Sequence, residues 1–404
     1  MAIVEETYDI VVVGGGPAGA TAAADLARAG RRVVLLDRAG RIKPCGGAIP
    51  PRLVRDFAIP DSLIVARVKG ARVIAPSERS VDMAIDGGYV GMVDREHFDE
   101  WLRVRAAEAG AERRTGTFES LVRDPDGTAV VVYRTKPLAP EIRLRARAVI
   151  GADGANSGVA RAALGPKAKV PFVFAYHEVV RAPAPGPAYD GRRCDIYYQK
   201  PYSPDFYAWV FPHGETASIG TGSMEKGFPL RDAVRRLRAD KGLEGAETLR
   251  REGAPLPLKP LKRWDNGRDV VVAGDAAGVV APASGEGIYY AMASGRMAAE
   301  AVEGFLETGD AAQLAGARRR FMKAHGRVFL ILGIMQRFWY TSEGRRERFV
   351  AMCGDKDVQR LTWDAYMNKE LVRADPMAHL RIFWKDVMQL VGVVSAWGKR
   401  SIDT

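Results

Sequence analysis

Cysteine is scarce in this chain, and the few cysteines present are not spaced as a metal or disulfide site requires. Only three occur in 404 residues, Cys45, Cys194 and Cys353, and they lie far apart in the sequence. There is no Cys-x-x-Cys pair and no cluster of cysteine with histidine, so neither a structural zinc site nor a disulfide framework is expected. This cysteine usage is typical of a protein of the reducing cytoplasm.

Long apolar runs are also missing. The N-terminus has no basic segment followed by an apolar stretch and a small-residue cleavage site, so no export signal is expected. The longest apolar run near the C-terminus, 328–335, is far shorter than the ~20 residues that a bilayer-spanning helix needs. We expect a core helix there, with contact to a membrane surface as the alternative. The expected location is the cytoplasmic side, either soluble or peripherally bound to a membrane.

The chain is basic, with a net charge of +11, but it carries no recognised nucleic-acid-binding motif. Its arginines are scattered along the sequence rather than gathered in one segment, which is typical of ordinary surface residues. The alternative interpretation is attraction to an anionic membrane surface or to an anionic substrate. A nucleic-acid partner is not expected.

The N-terminal segment has the pattern of a dinucleotide-binding unit. A predicted strand, 9–13, runs into Gly14-x-Gly16-x-x-Gly19 and then into an alanine-rich helix. Gly14 permits a tight turn, Gly16 lets the backbone approach a pyrophosphate, and Gly19 lets helix and strand pack closely. The helix N-terminus offers free N–H groups and the positive end of its dipole to phosphates. Asp37, at the end of the next strand, is placed to accept hydrogen bonds from a ribose.

Two later segments return to a similar pattern and favour FAD over a nicotinamide cofactor. The first, 145–161, is an apolar strand followed by a Gly-x-Asp-Gly turn. The second, 269–302, is another such strand, a loop rich in proline and glycine, and a helix. Asp275 is placed at this strand's end to hold a ribityl hydroxyl. The N–H groups of Gly287 and Ile288 at the helix start suit an electron-rich isoalloxazine edge.

Together, these three motifs resemble the FAD-dependent superfamily that includes the aromatic hydroxylases. The resemblance implies an FAD domain assembled from discontinuous segments, and it places Arg95, within the segment 93–102, near the FAD. The chain departs from the superfamily pattern where the usual Ser-x-x-Arg after the Asp-Gly pair reads Ser157-x-x-x-Arg161. The role of Arg161 is therefore open.

The expected fold class is α/β, with a Rossmann-like, aromatic-hydroxylase-like FAD-binding domain built from discontinuous segments. We expect that domain to comprise residues 1–154 and 269–310. Residues 155–268 contain runs with alternating, β-branched and aromatic residues, which predict an antiparallel sheet that forms a β-rich substrate and catalytic domain. Residues 311–404 are predicted to form a helical C-terminal region.

Two short stretches make the resemblance more specific. A Tyr-x-Trp-x-Phe-Pro stretch, 207–212, places three aromatic side chains on one face of a strand, where they could equally form a core-facing stripe. The turn 43–48 holds Cys45 between a proline and two glycines, although free cysteine is usually found in cores. With the segment 269–302, these stretches resemble the geranylgeranyl reductase family, whose members saturate isolated double bonds of isoprenoid chains.

The resemblance extends to one branch of that family. The proline that directly precedes Cys45 and the segment 361–371 both resemble the branch that acts on chlorophyll and bacteriochlorophyll tails. The implied substrate is a geranylgeranyl group, either esterified to the pigment or present as the free diphosphate, which is converted to the phytyl form. A peripheral membrane contact and a chlorophyll-synthase-type enzyme partner are further expectations.

The resemblance also implies how the residues act. NADPH would reduce FAD, which would give hydride to one alkene carbon while an acid protonates the other. Cys45 is a candidate proton donor, although it could instead merely fit a tight space against the flavin, and Tyr207 or a water could serve. The alternative functions are an FAD-dependent aromatic hydroxylase and a non-redox prenyl-binding escort protein.

The candidate site residues come from several separate segments. Those expected to contact FAD are Gly14, Gly16, Pro17, Ala18, Gly19, Asp37, Arg38, Cys45, Gly46, Gly47, Ala48, Arg95, Asp275, Pro282, Gly285, Gly287 and Ile288. Those expected to line the substrate site are Tyr207, Trp209, Phe211 and Pro212, and the candidate catalytic residues are Cys45 and Tyr207. No metal ligands are expected.

Overall fold

The computed structural model describes residues 6–38 and 42–369 as a mixture of strands and helices. The strands are β1 (Glu6–Val13), β2 (Val33–Asp37), β3 (Ala48–Ile49), β4 (Ile64–Val68), β5 (Gly70–Ile74), β6 (Ser80–Ala84), β7 (Val90–Val93), β8 (Glu112–Thr115), β9 (Thr117–Arg123), β10 (Ala129–Arg134), β11 (Ile142–Gly151), β12 (Phe172–Arg181), β13 (Cys194–Tyr197), β14 (Ala208–His213), β15 (Thr216–Ser223), β16 (Thr248–Pro257) and β17 (Val270–Val272). The helices are α1 (Pro17–Arg28), α2 (Pro51–Asp56), α3 (Arg95–Glu108), α4 (Gly158–Leu164), α5 (Leu230–Asp240), α6 (Ile288–Thr308), α7 (Gly316–Trp339), α8 (Glu343–Met352) and α9 (Lys356–Asn368).

The chain divides into two compact units, and it leaves and re-enters each of them. The first consists of the chain up to Lys43, Arg95–Phe172 and Pro255–Phe329. The second consists of Pro44–Asp94, Val173–Ala254 and the chain from Leu330 onward. The segment 44–94 was assigned to the FAD-binding domain on sequence grounds. It lies in the second unit because β5 pairs with β13, a strand of that unit, and β6 pairs with β5. The functional roles of the three predicted regions stay predictions.

The first unit is built on a sheet whose central strands are parallel. Its strand order is β8-β2-β1-β11-β10-β9, and β17 also pairs with β11. β1 pairs in parallel with β2 and β11, and β11 pairs in parallel with β17. β2 and the second half of β1 are apolar and buried, as is usual for parallel strands with both faces covered. Because these strands run in one direction, the turns that follow β1, β2, β11 and β17 lie at the same edge of the sheet.

Glycines let the elements of this unit approach closely. Gly14 has a φ of +105°, and a Cβ added there would lie 2.3 Å from the Ala152 carbonyl oxygen. A Cβ on Gly19 would lie 1.8 Å from the Gly14 carbonyl oxygen. In α6, a Cβ on Gly295 would lie 2.2 Å from the Ala18 carbonyl oxygen of α1. Backbone therefore touches backbone where the first turn, α1 and α6 pack together.

The second unit contains a seven-stranded sheet, ordered β16-β12-β15-β14-β13-β5-β6, and a three-stranded sheet, β3-β7-β4. β12, β15, β14 and β13 are antiparallel neighbours. One face of these strands packs against α5 in an apolar core that includes Tyr176, Val210, Ile219, Val234 and Leu237. Alternate residues of the same strands point to the opposite face.

The predicted fold class is confirmed. The β1–α1–β2 unit forms, the runs predicted as strands in the middle segment become β12, β13, β14 and β15, and helices α7, α8 and α9 follow. The part of the predicted helical region from residue 370 onward, including the end of the segment 361–371, lies outside the described residues. None of the helices in the described part of the chain is both long enough and apolar enough to cross a bilayer.

Replacing Gly295 with alanine is expected to destabilise the protein, because the new methyl group would clash with the backbone of α1. Overpacking of this kind costs about 1–3 kcal/mol, so the thermal unfolding midpoint should fall. The matched control is Gly344→Ala in α8, where an added Cβ meets nothing within 4 Å. Because alanine favours helices more than glycine does, this control should be neutral or stabilised. An unchanged midpoint for Gly295→Ala in circular dichroism melts would contradict the close packing.

Candidate functional site

The turn after β1 forms a cradle at the N-terminus of α1. Gly16 is the N-cap residue, and a Cβ added there would meet nothing within 4 Å. α1 begins at Pro17, has no side-chain cap and has no acidic residue in its first turn. Ala18 and Gly19 are buried in that turn. Free N–H groups, a positive dipole end and open space beside a glycine together fit the pyrophosphate of a dinucleotide.

Asp37, the acid predicted to bind a ribose, has a partner that the sequence interpretation missed. Arg103 on α3 places Nη1 3.3 Å from the Asp37 carboxylate and 3.3 Å from the Gly15 carbonyl oxygen. The arginine therefore links the first glycine turn to the end of β2 and holds the carboxylate in place. Arg38, the next predicted contact, is exposed just after β2.

Arg95 is buried at the start of α3. Its guanidinium forms a bidentate ion pair with Asp99, with N–O distances of 2.8 and 2.7 Å. Arg95, Asp99 and Arg103 follow one another at intervals of four residues, which places them on one face of the helix. That spacing is the signal from which Arg103 could have been identified. Proximity of Arg95 to FAD stays a prediction.

The aspartate of the second motif, Asp153, caps a helix. Its Oδ2 accepts the N–H of Gly158 at 2.7 Å and the N–H of Val159 at 3.2 Å, at the start of α4. Burial raises the pKa of this carboxyl, and the hydrogen bonds oppose that rise. Arg161, whose role the sequence left open, donates from Nη1 to the Asn156 carbonyl oxygen at 2.9 Å. This segment therefore orders the turn after β11.

Asp275 was expected at the strand end, but β17 ends at Val272, and Asp275 lies three residues further on, buried in the short 3₁₀ turn Gly274–Ala277. Its carboxylate pairs with Lys43, which begins the turn 43–48 but is not among the candidate site residues. A carboxylate oxygen can accept hydrogen bonds from a polyol hydroxyl. Asp275 lies at the carboxyl edge of the parallel sheet, and its ribityl-binding role stays a prediction.

The loop before α6 turns sharply at Gly285, which has a φ of +66° and follows the buried Pro282. Gly287 is the N-cap residue and Ile288 is the first residue of α6. The Glu286 carboxylate accepts one N–H of the first turn at 2.9 Å. As Gly287 has no side chain, the first N–H groups of this helix fit an electron-rich flavin edge in the way that α1 fits phosphates.

In the second unit, the cysteine turn packs directly on the aromatic strand. A Cβ on Gly46 would lie 3.1 Å from the Phe211 ring, and a Cβ on Gly47 would lie 2.6 Å from His213 Nε2. Gly47 has a φ of +70°, and its N–H donates to Cys45 Sγ at 3.3 Å. Cys45 is half-buried, whereas the other two free thiols are buried. Two stretches that are distant in sequence are thus brought into contact.

The three aromatic side chains of the 207–212 stretch, here termed the aromatic stripe, share one face of the sheet. Ring centroids are 6.0 Å apart between Tyr207 and Trp209 and 6.0 Å apart between Trp209 and Phe211. By alternation, this face is opposite to the one that α5 covers, and Pro212 points to the α5 side. The stripe is therefore not part of the α5 core.

His213 is a further member of this site that the sequence interpretation missed, although it directly follows the aromatic stretch. Burial lowers its pKa to about 4, so the ring is neutral at physiological pH. Its Nδ1 lies 3.2 Å from the Phe211 carbonyl oxygen, which can only accept, so this hydrogen bond needs a proton on Nδ1. Ala48, the last residue of the predicted turn, begins β3 and pairs with Met92.

The predicted groups divide between the two units. The glycine turn, Asp37, Arg95, Asp275 and the start of α6 belong to the first, and residues 44–48 of the cysteine turn and the aromatic stripe belong to the second. Among residues 6–38 and 42–369, no three His, Cys, Asp or Glu side chains are grouped closely enough to hold a metal ion. The binding and catalytic roles of these residues stay predictions.

Comparisons with known proteins agree with the FAD prediction. Residues 7–319 match the family described as FAD binding domain. The chain is 58% identical over 387 residues to a geranylgeranyl diphosphate reductase from Rhodobacter capsulatus, covering 96% of this chain and 98% of the relative. It is 38% identical over 399 residues to a geranylgeranyl diphosphate reductase from Synechocystis sp., covering 95% of this chain and 97% of that relative. A geranylgeranyl bacteriochlorophyll reductase-like protein from Thermoplasma acidophilum shares the fold, with a TM-score of 0.78 at 23% identity over 96% of this chain and 99% of that one.

Lowering the pH is expected to destabilise the protein through His213. Its pKa in the fold is about 4, below the ordinary value of 6.5, so the unfolded chain binds the proton first. The stabilisation is complete above the ordinary pKa and is lost as the pH falls towards 4. Between pH ~7 and ~5, this ring should lower the free energy of unfolding by about 2 kcal/mol.

His213→Gln should flatten this part of the pH profile, because glutamine keeps polar atoms near the ring positions and does not titrate. The matched control is His97→Gln, since His97 is exposed on α3. Urea unfolding at each pH measures the free energy of unfolding. An equal loss in His213→Gln and in the wild type would show that other groups cause the acid sensitivity.

Proposed function

The chain belongs to the geranylgeranyl reductase family of FAD-binding oxidoreductases, and on that premise we propose that it saturates isolated double bonds of a geranylgeranyl tail. The tail is carried by (bacterio)chlorophyll or by the free diphosphate, and the product is the phytyl form used in (bacterio)chlorophyll biosynthesis. FAD is the cofactor and NADPH is the reductant. The observation that carries this proposal is the packing of the Cys45 turn on the aromatic stripe within the second unit.

The first unit supplies the residues that would hold FAD. The glycine turn at α1 would take the pyrophosphate, Asp37 with Arg103 would take the adenosine ribose, and Asp275 would take the ribityl hydroxyls. The start of α6 would contact the flavin edge. Bound FAD supplies the hydride for one alkene carbon. The sequence has no second glycine motif set between a strand and a helix in the same way, so NADPH would bind without a domain of its own.

The second alkene carbon needs a proton from a well-placed acid, because an isolated alkene has no carbonyl to polarise it. Cys45 and Tyr207 are the candidate donors. Burial raises the pKa of Tyr207, with a smaller contribution from Cys45, so the hydroxyl keeps its proton at neutral pH. The Gly47 N–H holds the Cys45 sulfur in one orientation. Cys45 and Tyr207 therefore both stay candidate donors, with Tyr207 the weaker acid because its pKa is raised.

The aromatic stripe suits an apolar tail. Moving a ~20-carbon tail from water to an apolar site gains roughly 15 kcal/mol before association costs, at about 0.8 kcal/mol per carbon. A tail already dissolved in a bilayer gains almost none of this transfer free energy, because it is not exposed to water. We therefore place the protein at a membrane surface, where it can draw the tail directly from the lipid.

Helix α7 carries an exposed apolar face that suits such a surface. Leu330, Ile331 and Ile334 are 65%, 41% and 58% exposed, and their spacing puts them on one face of the helix. Arg337 is exposed one turn further along. Arginine beside an apolar face is typical of helices that lie on anionic bilayers. At the membrane surface the protein would contact a chlorophyll-synthase-type enzyme, which acts on the same pigment.

The direct test is anaerobic incubation of the purified, FAD-loaded protein with NADPH and geranylgeranylated bacteriochlorophyll. We expect the pigment to gain two hydrogens for each double bond reduced, as measured by mass spectrometry. Geranylgeranyl diphosphate in a parallel reaction identifies which form of the tail is used. No mass change with either substrate, although NADPH reduces the flavin, would contradict the proposal.

Two other results would favour the alternative functions. An oxygenated product formed in air would favour an aromatic hydroxylase, and protein that purifies without FAD would favour an escort protein. The membrane proposal is tested in the same assay, because Ile331→Asp should slow the reaction of pigment held in anionic vesicles. The matched control is Val65→Asp, which changes an equally exposed residue, also 41%, on β4.

Replacing Cys45 with alanine separates the two roles considered for this thiol. If Cys45 donates the proton, kcat should fall by about 10²–10⁴-fold while flavin reduction by NADPH is unchanged. Tyr207→Phe tests the other donor in the same way. The control is Cys353→Ala, which removes a buried thiol next to α8. A fall of less than about tenfold in Cys45→Ala would mean that another group supplies the proton.

A further inference from the structure

A buried chain of hydrogen bonds crosses four neighbouring strands of the second unit and ends on Trp209. Trp209 Nε1 lies 3.0 Å from Ser218 Oγ. Ser218 Oγ lies 2.8 Å from His177 Nδ1, and His177 Nε2 lies 3.0 Å from Glu252 Oε2. The four residues, here termed the indole relay, lie on β14, β15, β12 and β16, which are consecutive in the sheet. Of the four, only the tryptophan is among the candidate site residues, as a residue expected to line the substrate site.

The register of the strands explains why these groups meet. His177 on β12 and Trp209 on β14 both pair with Gly220 on β15, so the three residues form one row and point to one face. Ser218 precedes Gly220 by two residues and points to the same face. A Cβ on Gly220 would lie 2.3 Å from the Trp209 ring and 2.6 Å from His177 Cβ. Because position 220 has no side chain, the indole can lie across β15 and reach Ser218.

Donors and acceptors can be assigned along the relay so that each donor makes one hydrogen bond. The indole N–H can only donate, so Ser218 Oγ accepts it. The Ser218 hydroxyl can then donate to His177 Nδ1, and an N–H at His177 Nε2 can donate to the Glu252 carboxylate. The other carboxylate oxygen of Glu252 pairs with Arg250 Nε at 3.1 Å. The relay thus connects the indole to a charged pair, and each of its members is held by the next.

Serine, histidine and glutamate in this order also make up a hydrolytic triad, but the geometry here does not suit one. Ser218 is only 2% exposed, and its oxygen accepts the indole N–H. A nucleophile must reach a substrate carbonyl, which this burial prevents. The relay ends instead on the Trp209 ring, which lies between Tyr207 and Phe211 on the aromatic stripe.

We propose that the indole relay holds the Trp209 ring in one orientation and thereby selects which double bond of the isoprenoid tail is presented for reduction. This inference rests on the proposed function, in which the aromatic stripe lines the tail. The indole is 6.0 Å from each of its two aromatic neighbours, so its rotation would change the shape of the stripe between them. A tail bound with a shifted register presents a different double bond, or none. Ser218, His177 and Glu252 are positioning residues in this account.

Ser218→Ala removes the acceptor of the indole N–H and leaves the candidate cofactor residues intact. We expect kcat/KM for the tail to fall about tenfold, and the share of partly reduced product to rise. FAD content and the rate of flavin reduction by NADPH should match the wild type. The matched control is Ser223→Ala, a buried serine on the opposite face of β15 whose hydroxyl donates to Asp205 at 2.8 Å. It should lower stability without changing the product mixture.

A double-mutant cycle tests whether Ser218 acts through the indole. Trp209→Phe removes the N–H, so adding Ser218→Ala to it should change the product mixture little further. His177→Asn keeps an acceptor near the Nδ1 position but loses the contact with Glu252, so its effect should be smaller than that of Ser218→Ala. Full additivity of the changes at 209 and 218 would overturn the inference.

The indole N–H also gives a readout that does not depend on turnover. The chain has seven tryptophans, and Trp209→Phe identifies the relevant indole signal in a ¹H–¹⁵N spectrum. That signal should move in Ser218→Ala and stay in place in Ser223→Ala. An unmoved signal, or a wild-type product mixture in Ser218→Ala, would overturn the positioning role. A wild-type protein that reduces neither substrate would overturn the proposed function instead, and the indole signal would still test the relay.

Discussion

The proposed cofactor site depends on backbone segments that touch because side chains are missing between them. Gly14 lies against the turn after β11, and Gly295 of α6 lies against the carbonyl of Ala18 in α1. Since β1, β2, β11 and β17 are parallel, the turns that follow them meet at one edge of the sheet. Asp37 is the last residue of β2 and Asp275 follows β17, so both acids lie at the edge where the α1 cradle opens. A single methyl group at either glycine would force these elements apart.

In the second unit, too, segments pack closely where side chains are small or missing, and here the close packing positions aromatic rings. On the face of the aromatic stripe, β15 carries only small residues at three alternate positions, Ser218, Gly220 and Gly222. A Cβ on Gly222 would lie 3.0 Å from the Phe206 ring, as one on Gly220 would meet the Trp209 ring. Aromatic rings from the neighbouring segment therefore lie over β15 instead of standing beside it. An indole buried in this way needs an acceptor for its N–H, which the relay supplies.

Burial favours the neutral form of two titratable groups at the aromatic stripe, Tyr207 and His213. It raises the pKa of Tyr207 and lowers the pKa of His213, so both are uncharged at neutral pH. The charges of the relay lie at its far end, where Glu252 pairs with Arg250. An apolar tail would therefore meet rings and neutral polar groups rather than ions, which lowers the cost of excluding water from the stripe.

The sequence by itself determined the cofactor class, the Rossmann-like unit and the aromatic stretch, because each depends on spacing between residues that are close in the chain. The glycine turn, Asp37 and the start of α6 were all placed correctly on their elements from that spacing. Only the tertiary structure decided that segment 44–94 joins the second unit, that His213 packs on Gly47, and that Arg103 reaches Asp37. The indole relay belongs to this second group, because its residues meet through the register of four strands. Register is set by pairing between distant segments, and no local pattern in the chain encodes it.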